Sequence, residues 1–432
     1  MKKALATILA LVMAIGLCSV SWAASTDLPQ ADENGVITLT DDVVLAAGKE
    51  INKAGTTQVT KIDLGGHKLS RAGGFVLDIY GDVTITNGTI EMTGAASGSA
   101  IWINNGAKVT IDNSVKVSAT GSVNNKTSFA IAFDSSCDDA VLTFNGAIAG
   151  ENGVTINGNI TKNTNKISVN GTIDVNELAL YLAGNGITDI NNGASLKGDA
   201  GVEIRAGVLN INGGTVESTG TYSAPIANGN GPTASGAALI VAEHTTNQGI
   251  TVNVNSGNIK AASAGKAIAV SDPQNTNGND VKLNVAGGNV VGGIQVEESI
   301  ETAKPVAVTG GTFSRDVSTY AADNTPVASN NGTYYVGEET IQNAANNLSA
   351  GQQLKIEKGA VTINGAEYRA GGNATYTKPS SGGYYYYQPT TDTKANDTKG
   401  SPKTFDAGIA LYVGMALTSA AGVAFVGKKR ED

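Results

Sequence analysis

The sequence predicts an all-β fold, a parallel β-helix of about ten coils followed by a C-terminal transmembrane helix. Three observations predict it. Fifty-five glycines and 5% aromatics in 432 residues suit many short strands separated by tight turns, each needing little packing volume. Two kinds of short alternating segment recur every 20 to 30 residues or so, the spacing of solenoid repeats. Near the end, residues 407–427 run without a charge before a basic tail.

The N-terminus comes first. Lys2 and Lys3 precede an apolar run from Ala4 to Leu17, and Ser21-Trp22-Ala23 offers small residues where a signal peptidase reads. Residues 1–23 are therefore expected to be a signal peptide. Cys18 follows a bulky Leu17, which does not suit a lipoprotein signal. After cleavage Cys137 is the remaining cysteine, so no intrachain disulfide is expected and strand ladders must hold the ectodomain. Twenty-nine Lys+Arg against 38 Asp+Glu give a formal net charge of -9, which argues against nucleic-acid binding.

Residues 24–337 are expected to form the β-helix with its N-terminal cap, Gly35-Val36-Ile37-Thr38-Leu39 covering the open end. One strand type reads apolar-x-apolar, then a turn with Asn or Gly, then an apolar residue. It occurs at Val83-Thr84-Ile85-Thr86-Asn87-Gly88, Val109-Thr110-Ile111, Leu142-Thr143-Phe144-Asn145-Gly146 and Ile167-Ser168-Val169-Asn170-Gly171, and again at Leu209-Asn210-Ile211, Val252-Asn253-Val254 and Leu283-Asn284-Val285. The second type includes Leu77-Asp78-Ile79, Ile101-Trp102-Ile103, Ile131-Ala132-Phe133, Val202-Glu203-Ile204, Ile268-Ala269-Val270 and Ile294-Gln295-Val296. Period-two alternation marks each as a half-buried strand. A β-sandwich would need hairpins of matched strands rather than two strand types in strict order. Asn and Gly at the turns accept positive φ, and stacked Asn amides can hydrogen-bond in ladders.

Residues 338–370, with a weakly helical piece and then Leu354-Lys355-Ile356 and Val361-Thr362-Ile363, are expected to cap the C-terminal end. Residues 371–400 are polar and rich in Gly, Ser, Thr and Pro apart from Tyr384 to Tyr387, and read as an extended stalk. Residues 401–432 form the anchor. The apolar span 407–427 would reach roughly 31 Å as a helix, enough for the hydrocarbon core. Lys428-Lys429-Arg430 then set the C-terminus in the cytoplasm.

Ser401-Pro402-Lys403-Thr404-Phe405, the apolar span and the basic tail together resemble the cell-wall sorting signal of Gram-positive surface proteins. The resemblance implies a sortase as partner, cleaving after Thr404 and joining it to peptidoglycan. Pro402 and Thr404 match the pattern. Ser401 stands where leucine is commonest and Phe405 where glycine is usual, so a retained membrane helix is the other outcome. Either way the protein is expected on the bacterial cell surface.

Ile62-Asp63-Leu64-Gly65-Gly66-His67-Lys68-Leu69 resembles the opening coil of right-handed, single-stranded parallel β-helices of the pectate-lyase-like superfamily. Gly310-Gly311-Thr312-Phe313-Ser314-Arg315-Asp316-Val317 resembles the closing coil of surface β-helix proteins of Firmicutes. The likeness covers most of 35–337. It implies a right-handed helix and a choice among lyases, hydrolases and non-enzymatic adhesins, because that fold hosts all three.

The chemistry is read from outward positions. On the second strand type these are Asp78, Trp102, Ala132, Thr155, Tyr181, Glu203, Ala269 and Gln295, expected to face solvent. Trp102 and Tyr181 are the candidate sugar-stacking aromatics, with Asp78 and Glu203 as accompanying ligand-binding carboxylates. Those two lie about five coils apart, roughly 24 Å, too far to share one glycosidic bond. The first type presents Asp63, Thr84, Thr110, Thr143, Ser168, Asp189, Asn210, Asn253 and Asn284, a chemically quiet ladder. The acidic turn Asp134-Ser135-Ser136-Cys137-Asp138-Asp139 reads as solvated, with a calcium site as its functional alternative. Arg205 beside Glu203 reads as an ion pair. His67 and His244 stand alone on their coils, which gives no support for metal ligation or a Ser-His-Asp arrangement. No catalytic residue, resident metal or cofactor is expected, calcium being the one the resemblance would admit. The function these readings favour is a surface-anchored, adhesin-like β-helix binding carbohydrate or a neighbouring cell's surface. A polysaccharide lyase or glycoside hydrolase is the alternative.

Overall fold

The computed structural model describes residues 26–380, apart from 121–127, 228–232, 234, 263–264 and 275–279, and apart from the side chains of 95–97. The segments expected to be signal peptide, most of the stalk and sorting motif, and the apolar span 407–427, lie outside the described residues. The chain divides into two units, residues 1–381 and 382–432, and all that follows concerns the first. No helix among the described residues is long and apolar enough to cross a membrane.

The fold is all-β, a long sheet system in which each strand pairs in parallel with its counterpart one coil later. The pairings sort into three ladders, or faces. The first face carries Lys61–Asp63, Val83–Thr86, Lys108–Ile111, Val141–Phe144, Lys166–Val169 and Ile187–Ile190, and then the equivalent stretches up to Val306–Val308. The second carries Val115–Ala119, Ala147–Gly150, Thr172–Val175 and Ser195–Gly198 and their equivalents. The third carries Phe129–Phe133, Asn152–Ile156, Leu178–Leu182, Ala200–Ile204, Leu239–Ala242, Lys266–Ser271 and Gly293–Val296.

Each coil thus has three strands, not the two expected. The missed strand follows the first face after a corner of only one or two residues, such as Asn145-Gly146 or Asn170-Gly171. Its apolar residues therefore read as the tail of the preceding segment. The corner is tight. A Cβ on Gly171 would lie 2.1 Å from the carbonyl oxygen of Gly146 one coil below, so the chain has room there for nothing larger. Asn87 takes the same corner with φ 59°, the left-handed conformation asparagine tolerates.

Alternation buries one residue set per face. On the first, Ile62, Ile85, Ile111, Phe144, Val169, Ile190, Ile211, Val254, Val285 and Val308 stack in register. On the second, Val43, Leu69, Ile90, Val117, Ile148, Ile173, Leu196, Val216, Ile259, Val290 and Phe313 do the same. With the inward residues of the third face they make one continuous core from Ile37 to Val336. Each fully buried aliphatic side chain contributes roughly 1.5–3 kcal/mol. No coil could hold its own apolar edge dry, so neighbours stabilise one another.

The stretch expected to cap the N-terminal end is itself the first rung, since Val36–Thr38 pairs in parallel with Lys61–Asp63. Leu28 and Ala31, just before it, pack against the core. At the other end the parallel pattern stops. Gly311–Phe313 pairs antiparallel with Thr333–Val336, which pairs with Val327–Asn330, and that strand with Gln353–Lys358. The helix Glu338–Asn347 packs Ile341, Ala344 and Ala345 with Leu354, Ile356, Val361 and Ile363 in a separate small core. Thr375–Thr377, inside the segment expected to begin the stalk, still pairs with Gln353–Lys355.

Candidate functional site

The outward ladder of the third face is Glu50, Asp78, Trp102, Ala132, Thr155, Tyr181, Glu203, Ile240, Ala269 and Gln295, one residue per coil in unbroken register. It contains every residue expected there, plus Glu50 and Ile240. Its environment is not the expected one. Tyr181 is 4% exposed and Glu203 fully buried, while Ala132, Ile240 and Ala269 are buried with them. The described parts of the segment 219–238, between Gly207–Ser218 and Leu239–Ala242, cover Tyr181, Glu203, Ile240 and Ala269. Ala237, with Tyr222 packed alongside, joins Phe129, Leu178, Tyr181, Ala183, Ala200, Ile240, Ala242 and Ala269 in a second apolar cluster outside the solenoid interior.

Tyr181 therefore presents no free face to a sugar. Its ring stacks on Phe129 with centroids 6.1 Å apart, and its hydroxyl accepts from Arg205 Nη1 at 3.2 Å. Glu203 is a structural anchor for the insertion. Its carboxylate accepts from the Thr233 backbone N–H at 3.0 and 3.1 Å and from the Thr233 hydroxyl at 2.7 Å. Arg205 Nε lies 3.9 Å from Glu203 Oε1, and Arg205 Nη2 donates to the Glu243 carbonyl. Burial pushes the Glu203 carboxyl up to about 7 against the opposing pull of Thr233 and Arg205.

Asp78 is buried too, tied by Tyr80 Oη–H at 2.8 Å and Asn104 Nδ2–H at 2.5 Å. Burial first, then the Asp78 carboxylate, pushes the Tyr80 phenol up to about 12. Trp102 is half-buried, and its indole N–H meets no acceptor among the described residues. The four residues expected to bind ligand are thus not brought together on one open surface. The expected first-face ladder needs one correction, because Lys61 rather than Asp63 aligns with Thr84.

The acidic turn is built for its own backbone. Asp134 Oδ1 accepts from Ser136 N and Ser136 Oγ, and Asp138 takes Lys162 and Thr164. Cys137 is buried, its thiol pushed up to about 12 chiefly by burial. No group of three or more His, Cys, Asp or Glu among the described residues could hold a metal ion. His67 Nδ1 lies 3.6 Å from Asp42, and His244 Nδ1 accepts from the Thr246 N–H.

One groove gathers groups able to take a ligand. It encloses about 600 Å³ at the last coils of the third face, lined by Tyr222, Tyr320, Ser271, Gln295 and the carboxylates of Glu297, Glu298 and Glu301. Tyr222 and Pro225 come from the insertion, the glutamates from the strand end and the short helix Glu298–Glu301, and Tyr320 from the closing segment. Both phenols are raised, in each case first by burial and for Tyr320 also by the charge on Glu301. Glu297 is fixed, with Oε2 accepting from Asp272 N–H at 2.9 Å and Oε1 from Ser299 Oγ at 2.8 Å. Ser271, 3% exposed, has a hydroxyl with no partner among the described residues. The residues that follow Ala242 and Ser271, Glu243 and Asp272, form a carboxyl pair. Burial, then the like charge of Asp272 and a hydrogen bond with it, push Glu243 up to about 7, so at mildly acidic pH the pair holds a proton.

Reading outward strand positions missed this site. Of its acids, Glu297 follows the third-face strand directly after Val296, as Glu243 and Asp272 follow Ala242 and Ser271 two coils and one coil earlier, while Glu298 and Glu301 lie on the short helix beyond. Carrying the register one residue beyond each strand would have found Glu297 but not Glu298 or Glu301. Tyr222 and Tyr320 lie in non-repeating segments and left no periodic signal. No protein-family model matches the chain, and no curated protein or solved structure matches it.

Proposed function

We propose that this chain is a surface-displayed, right-handed β-helix whose groove between Tyr222 and Tyr320 binds carbohydrate in an adhesin-like role. The groove is the observation that carries the reading. Its volume is that of a small-ligand site, and it sets two aromatic rings beside an amide, a buried hydroxyl and carboxylates, the groups that stack on and hydrogen-bond to a pyranose. Right-handedness follows the rule that parallel strand crossovers take that hand almost without exception, and it agrees with the pectate-lyase-like resemblance. Display on a bacterial surface rests on residues 1–23 and 401–432, with sortase transfer at Thr404 or a retained helix at 407–427 as the attachment. Mass spectrometry of muramidase-released material distinguishes the two. The binding claim is tested by glycan-array screening of the protein and its Tyr222→Ala and Tyr320→Ala variants. Ligands retained at full strength by both variants would exclude the groove.

A second reading has its own observation. Glu243, held at about 7 beside Asp272, stands one residue past Ala242, the register partner of the groove's Ser271, and such a carboxyl is the equipment of a general acid in glycoside hydrolysis. On that reading the protein is an extracellular glycoside hydrolase or polysaccharide lyase, and the Glu243→Gln variant loses reducing-end release while still binding the oligosaccharide. Binding without turnover in the unaltered protein leaves the first reading standing.

A further inference from the structure

We infer that the saccharide this groove takes carries free amino groups, a glucosamine-type rather than an acidic or fully N-acetylated sugar. The inference rests on the carbohydrate reading above and specifies the ligand of the same site. Three carboxylates, Glu297, Glu298 and Glu301, share the groove wall, and no lysine or arginine among the described residues lines it. Glu297 is occupied by Asp272 N–H and Ser299 Oγ. Glu298 and Glu301 form no ion pair among the described residues and are exposed. They sit three residues apart on one helical turn, two uncompensated negative charges on the same side of one cleft.

The charge is not the only pointer to a ligand. Ser271 is 97% removed from solvent, lines the groove, and leaves its hydroxyl unpartnered among the described residues, a deficit a polar ligand atom would make good. The two tyrosine rings add faces that attract a cation as well as stacking on a sugar. An alkylammonium on a hexosamine meets all of these demands at once. A uronate would bring its own negative charge against three glutamates, and an N-acetyl group would leave Glu298 and Glu301 uncompensated.

Isothermal titration of the full-length protein with equal-length oligomers of glucosamine, N-acetylglucosamine and galacturonate tests this. The expected order is glucosamine at least tenfold tighter than N-acetylglucosamine, with galacturonate showing no measurable binding. The glucosamine preference should shrink on raising salt from 50 to 500 mM, since exposed charges are screened over that range. A Glu298→Gln/Glu301→Gln double variant, both positions exposed, should lose the preference while still binding the N-acetylated oligomer. Tyr222→Ala should weaken both oligomers. Equal affinity for the two hexosamine oligomers, sensitive to Tyr222→Ala, overturns the amine inference and leaves the carbohydrate reading intact. An amine preference that survives the double glutamine variant overturns its assignment to this groove. Binding of none of the three overturns the inference and removes the support for the carbohydrate reading with it.

Discussion

The first and third faces of the solenoid follow one rule and end in opposite environments. On the first face the outward ladder Ser168, Asp189, Asn210, Asn253 and Asn284 stays at the surface and bonds along itself. Asn210 Nδ2 donates to Asp189 at 2.8 Å, Asn253 to Asn210 at 2.8 Å, and Asn284 to Asn253 at 3.0 Å. On the third face the outward ladder, in equally regular register, is sealed from Tyr181 to Ala269 by an insertion and becomes a second core. The difference teaches that alternation assigns a side chain to a side of the sheet, not to solvent. What lies on the far side is set by segments outside the repeat.

The largest expected effect comes from breaking the sealed face. Arg205 is fully buried and joins Glu203, the Tyr181 hydroxyl and the Glu243 carbonyl. Arg205→Ala strands the Glu203 charge in the interior, and a loss of about 3–5 kcal/mol is expected. Urea unfolding measures it. A loss below about 1 kcal/mol would mean the third-face cluster is no core at all.

The same face should give stability an unusual pH profile. Glu203 and Glu243 have folded pKa values raised above their unfolded ones, to about 7 each. Between pH 4.5 and 7 the folded state therefore binds more protons than the unfolded, and stability falls as pH rises through that window. The expected fall is on the order of 3 kcal/mol for each group that is fully desolvated. Asp63 and Asp112 act in reverse, since hydrogen bonds hold both below the usual carboxylate range and their contribution is lost only in stronger acid. Maximal stability is thus expected near pH 4 to 4.5, and a Glu203→Gln/Glu243→Gln variant should flatten the slope above it. An unchanged slope in that variant would assign the effect elsewhere.

How much of this was legible follows from the same contrast. The register of both ladders from Thr84 and Asp78 onward and the alternation of each strand were readable because each is written in residue period and repeats. Ile240 escaped because the insertion 219–238 set its coil at a longer interval than its neighbours. The second-face strand escaped because its corner is too short to break the pattern. The candidate site was illegible for a more general reason. Tyr222 and Tyr320 sit in the two stretches that interrupt the repeat, and only the coiled chain brings them to Glu297.

The corners that hide the second face offer a test of intermediate size. Gly171→Ala places a methyl against the Gly146 carbonyl oxygen, at a position the next coil cannot vacate without breaking its own ladder. Overpacking of this kind costs typically 1–3 kcal/mol. Because both coils carry the corner, the loss should exceed that of an alanine at Gly193, where a Cβ meets nothing within 4 Å and only the φ of 90° is unfavourable. Paired unfolding curves of the two variants decide it, and equal losses would show that backbone conformation rather than close approach dictates glycine here.

The smallest effect is expected on the open ladder. Asn253 donates to Asn210 and accepts from Asn284, so Asn253→Ala removes two amide bonds at once. All three side chains retain access to water, which replaces what is lost, so the net cost should stay near 0.5–1 kcal/mol. A buried amide left unpaired would cost several times that. The losses of stability in Asn253→Ala and Arg205→Ala should therefore differ severalfold although each variant deletes one hydrogen-bonding side chain of the same solenoid. If the two losses were alike, solvent would be reaching the third face, and the insertion would not be sealing Tyr181 and Glu203 as the structure has it.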